Sequence, residues 1–101
     1  MSNVKRINFS ANVNALGIES GFGRQIPIDE FPVGQSVSLK RWFPLHYAQA
    51  MKHIDVTRSE TELLIESGYK SGAIPLESGK RFNIGDIGLS YASCKLTIYV
   101  D

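Results

Sequence analysis

Apolar and polar side chains alternate along residues 7–15, with Ile7, Phe9, Ala11, Val13 and Ala15 falling on one face and Asn8, Ser10, Asn12 and Asn14 on the other. A period of two over this length predicts a half-buried β-strand. The end of the chain repeats the pattern. Ala92, Cys94, Leu96, Ile98 and Val100 alternate with Tyr91, Ser93, Lys95, Thr97 and Tyr99. Shorter runs lie between: Lys52 to Thr57, Leu63 with Ile65, Ala73 to Leu76, and Phe82 with Ile84. The segments SGYKSG, ESGKR and GDIG separate them and read as turns. Turn signals at this spacing predict a β-sandwich or barrel.

The first half is punctuated differently. Gly17, Gly21 and Gly23 predict a loop over GIESGFGR, with Phe22 either tucked from it into the core or held out as an exposed aromatic tip. Ile26 and Ile28 predict a strand from Gln25 to Phe31, and Pro27 and Pro32 place it at a sheet edge, because proline cannot donate to a ladder. Val37, Leu39 and Phe43 predict another strand. PLHYAQAMKH holds helix formers behind a proline, but a segment this short forms a marginal helix by itself. The expected fold is all-β: a single-domain antiparallel β-sandwich over residues 1–101, with a jelly roll as one form of it and at most one short helix near residues 45–53.

Composition agrees with one ordinary core. The chain has 101 residues, 43% hydrophobic and 21% charged, enough for one domain without staples. Eleven basic residues against ten acidic ones leave a net charge of +1, so no general attraction to nucleic acid or anionic lipid is expected. No apolar run reaches the roughly 20 residues that a bilayer requires. Serine and asparagine interrupt the first segment, so a soluble chain without an ordinary signal peptide is expected. The lone cysteine, Cys94, sits among apolar and small residues and reads as a buried, inert thiol suited to a reducing compartment.

Candidate chemistry is sparse. His46 and His53 stand seven apart, and nothing fixes Asp55, Glu60 or Glu62 beside them as further metal ligands. GFG lacks the spacing and the following Lys-Ser/Thr of a phosphate loop. No serine lies in a GxSxG elbow, and Glu60, Glu62 and Glu66 read as a solvated face. Catalytic residues, cofactor and metal are therefore all expected to be none, and the chain is read as non-enzymatic. Lys5-Arg6, Lys40-Arg41 and Lys80-Arg81 each adjoin an aromatic, as in a strand-tracking groove, although charges guarding strand edges explain them more simply.

One resemblance carries function. HIDVTRSETELLIES, AIPLESGKRFNIGD and CKLTIYVD form a sequence of strand, polar turn, strand, an IPL-x-x-G element, an aromatic-bearing strand and a closing strand. This run over residues 52–100 resembles small β-domain virion proteins of tailed bacteriophages, of the decoration, fibre or tail-associated type. It departs from their common form by stopping at Asp101, where a further strand often follows. The resemblance implies a structural component of a phage particle, capsid decoration or a minor capsid or tail protein, made in the host cytoplasm and residing in the virion. Its partners would be virion proteins and copies of itself in a homo-oligomer, a trimer or higher.

For such contacts the candidates are Trp42, Phe43, Tyr47, Tyr69 and Phe22, since aromatics dominate interface energetics, with the row Asn8, Asn12 and Asn14 as a second surface. The rival expectation is a monomeric binding module for a carbohydrate or a host protein, such as a phage-encoded inhibitor of host defence. Trp42, Tyr47 and Tyr69 would then line a groove for sugar stacking.

Overall fold

The structure, a computed structural model, describes residues 4–44, 47, 51–89 and 92–101. Eight strands follow in chain order: β1 (Arg6–Ala15), β2 (Ile18–Pro27), β3 (Ser36–Ser38), β4 (Ile54–Arg58), β5 (Glu62–Ser67), β6 (Gly72–Pro75), β7 (Arg81–Leu89) and β8 (Ala92–Val100). They form two four-stranded antiparallel sheets, ordered β2-β1-β8-β7 and β3-β4-β5-β6. The all-β expectation is borne out. The second sheet is a plain meander and the first is two hairpins joined along β1 and β8, an order different from the paired Greek keys of a jelly roll.

The alternation predicts what each sheet buries. Ile7, Phe9 and Ala11 of β1 and Cys94, Leu96, Ile98 and Val100 of β8 face inward. Val37, Ile54, Val56, Leu63, Ile65 and Ile74 meet them from the meander, and all belong to one core. No charged or polar side chain among the described residues is buried in it. Removing this apolar surface from water is the main force holding the layers together.

The two sheets differ in length. Strands of nine or ten residues build the first, while the meander has strands of three to six. At about 3.3 Å per residue the long sheet outreaches its partner. The described residues accordingly fill an elongated body of 45 × 20 × 20 Å. On β2, Ile26 is buried and Phe22 half-buried, whereas Ser20 and Ile18, on the same face, are exposed. The far end of the β1–β2 hairpin therefore projects beyond the layer that covers its base.

Four segments differ from the sequence expectation. The strand expected from Gln25 to Phe31 ends at Pro27, and a 3-10 turn over Ile28–Glu30 follows it. Residues 18–24 are the outer strand of a hairpin. The turn is only Leu16-Gly17, both at positive φ (54° and 78°), and the glycines beyond it lie inside the strand. The predicted strand through Leu39 and Phe43 ends at Ser38 and becomes a 3-10 turn over Leu39–Arg41. GDIG lies within β7, where the register shifts between Ile84 and Ile87, the mark of a bulge. Most of the segment expected to hold a short helix, including His46, lies outside the described residues. No helix among those described is long and apolar enough to cross a membrane.

Candidate docking surfaces

The aromatic candidates are used mainly inside the fold. Phe43 and Tyr47, from the segment between β3 and β4, belong to the core that both sheets share, and Trp42 packs against it. Phe43 and Tyr47 are only 6% and 2% exposed, which corrects their assignment as contact residues. Phe22 packs over both, at 5.3 and 5.9 Å between ring centroids. Trp42 lies 5.1 Å from Phe9 and 5.5 Å, edge-on, from Phe31. Such offset and edge geometries add to the stabilisation from burial alone. Trp42 is half-buried in this cluster and Tyr47 is enclosed, whereas a sugar-stacking groove would need both rings open. Tyr69 alone of the five stays open, 40% exposed on the β5–β6 turn.

Of the three basic pairs, Lys5-Arg6 and Lys80-Arg81 have side chains engaged locally. Arg6 Nε donates to Asp101 Oδ2 at 3.1 Å. Arg81 lies over the Tyr99 ring at 5.1 Å, and Lys80 is 3.9 Å from Glu77. Exposed pairs of this kind contribute little to stability. Their neighbours Phe9 and Phe43 point into the core and present no stacking platform.

The asparagine row does form a surface. Asn8, Ser10, Asn12 and Asn14 stand on the outer face of the long sheet, opposite Tyr99, Thr97, Lys95 and Ser93 of β8. On their other side lie Gln25, Gly23, Gly21 and Glu19 of β2. Asn8 Nδ2 reaches Tyr99 O at 3.4 Å. Towards the hairpin end a depression of roughly 470 Å³ opens, lined by Asn12, Asn14, Glu19, Gly21, Ser93 and Lys95 among others. The missing side chain at Gly21 makes room there, since a Cβ at that position would lie 3.0 Å from Asn12 Oδ1.

Sequence reasoning missed a third surface, the free edge of β2 with the hairpin tip. Of the four edge strands, β3 has three residues, β6 has four and ends in Pro75, and β7 is bulged. Short, proline-ended and bulged edges are the usual protections against unwanted pairing. β2 has ten residues in unbroken register with β1, and Pro27 stands only at its end. Beside this edge, Leu16 and Ile18 are 85% and 73% exposed. Gly21 and Gly23 suggested a loop, but the alternation of β1 followed by a two-residue turn was the available sign of a second strand.

Among the described residues no three His, Cys, Asp or Glu side chains gather as a metal site. His53 is exposed, and Cys94 is fully buried with its thiol pKa raised by desolvation. Comparison with known proteins finds no family, no curated relative and no solved structure that this chain matches.

Proposed function

We propose that this protein is a structural docking module, acting through contacts between folded chains, and that it serves a tailed-phage particle as the resemblance of residues 52–100 implies. The observation that carries the docking reading is the uneven pair of layers. A short meander and a filled core make a rigid base, and the long sheet extends from it a hairpin with an open edge and an apolar tip. A rigid strand edge binds by adding a strand from its partner, with backbone hydrogen bonds supplying affinity. Exposed aliphatic side chains at its end add desolvation energy. This is the chemistry of assembly and requires no reacting group.

The test is composition. Mass spectrometry of gradient-purified particles from the phage lysate that produces this chain should find it at many copies per particle. Its presence in the lysate and absence from particles would overturn the virion setting.

A second reading rests on the polar depression beside Asn12 and Asn14. Amide, hydroxyl, carboxylate and ammonium groups on a flat sheet face can hydrogen-bond a polyol, so a carbohydrate is the ligand class this surface favours. Titration of labelled protein with oligosaccharides should shift the amide signals of Asn12, Gly21 and Lys95 together, and Asn12→Ala should abolish those shifts. Unchanged spectra at saturating sugar would remove this reading.

A further inference from the structure

We infer that the free edge of β2 is a self-pairing site, joining two copies of this chain across a two-fold axis into one continuous eight-stranded sheet. The inference rests on the docking function proposed above and names its partner.

The backbone sets which residues are available. In an antiparallel ladder each residue turns its N–H and C=O to the same side, and successive residues alternate. The Ile28 N–H donates to Lys5 O at 2.9 Å, which fixes the parity of this strand towards β1. Counting back through the unbroken register, Ile26, Arg24, Phe22, Ser20 and Ile18 also face β1. Glu19, Gly21, Gly23 and Gln25 turn their backbone groups outward, and all four are exposed. Proline, lacking a donor, falls at 27, an outward position where β1 needs no N–H.

A two-fold axis normal to the sheet pairs like faces, so opposite residues share parity. Centring the axis on Phe22 sets Glu19 against Gln25 of the second copy and Gly21 against Gly23. Each of these is an outward-facing pair able to exchange two hydrogen bonds, about eight in total. Moving the centre to Gly21 or Gly23 loses pairs, because Pro27 or the turn takes the place of a donor. The same register sets Phe22 against its own copy and exposed Ile18 against Ile26, in the close pairs where side chains touch. No like charges meet. An isologous contact of this kind closes at two copies and can combine with another contact in a larger assembly.

Sedimentation velocity on the full chain over a concentration series tests the inference. A reversible dimer is expected. Gln25→Glu places a carboxylate opposite Glu19 of the second copy, twice per dimer, and should weaken association about fivefold. Adding Glu19→Lys should restore it. Gly23→Pro, which removes an outward N–H and spares the β1 ladder, should weaken it by at least about tenfold. Thermal melts check that each variant is folded, and exposed Gln25 keeps the test informative should Gly23→Pro unfold. Association indifferent to all three variants would overturn the β2 assignment and leave the docking function standing. A monomer at every concentration would overturn the self-pairing, while the virion setting is judged separately by particle composition.

Discussion

Phe82 of the long sheet closes onto Gly72 of the meander so tightly that a Cβ at Gly72 would lie 2.6 Å from Cε2 of the ring. Gly72 pairs with Ile65 on the inner face of β5–β6, so the missing side chain is the socket for the ring. Lys70 Nζ covers the ring at 5.0 Å from its centroid. Gly72→Ala must displace an aromatic ring held on several sides. Chemical denaturation should show a loss of about 1–3 kcal/mol.

Leu16 occupies the first turn position at φ 54°, a conformation that an L side chain other than Asn or Asp adopts at a cost. Asn-Gly is the preferred pair for this turn. Leu16→Asn should therefore raise stability by about 1 kcal/mol. A rise in melting temperature together with weaker partner binding would mark Leu16 as retained for contact. An unchanged melting temperature would show that the strain is relieved in the turn itself.

Trp42 is the chain's only tryptophan, and its ring rests on Phe9. Its fluorescence therefore reports on the aromatic cluster. Phe9→Ala should cost about 3–5 kcal/mol and shift native emission to the red as water reaches the indole. Destabilisation without a spectral shift would mean that the cluster repacks around the gap.

Asp55 and Glu66 are directly opposite on the outer face of β4 and β5. Like charges in that relation repel. Glu66→Lys should stabilise the protein by about 0.2–1 kcal/mol, with the gain shrinking in high salt.

Burial raises the Cys94 thiol pKa in the folded state. The neutral thiol is the form the fold favours, so its contribution is complete below the ordinary thiol range. It is lost as pH rises through the raised folded value. Melting temperature should fall over that alkaline window more steeply for the native sequence than for Cys94→Ala. A thiol reagent should label the protein only as fast as it opens. Rapid labelling under native conditions would refute the enclosure.

The sequence made some of this legible and hid the rest for physical reasons. β1 and β8 were readable because one face of each meets the core, and alternation records that. The strand character of residues 18–24 was hidden because β2 is held mostly by its ladder with β1. With little core contact, glycines and polar residues are tolerated there. Phe43 and Tyr47 looked like contact residues because a single aromatic in a connecting segment carries no sign of which side the chain will cover. That depends on the packing of these rings against Phe22 of β2, a tertiary event. Pro27 did announce its edge, since a missing donor has the same consequence in any fold, whereas Pro32 lies beyond the strand.

Arg6 and Asp101 bond across a separation of 95 residues, and the central ladder of the long sheet joins the two ends of the described chain. The meander can zip from neighbour to neighbour, but the larger sheet must wait for β8. Folding is thus governed by closure of a loop almost as long as the chain, and such topologies reach the native state in milliseconds to seconds. On the ribosome, β1 and β2 emerge before β8, and until it arrives the rim of β1 that it will cover is open to a chaperone or to a neighbouring nascent copy.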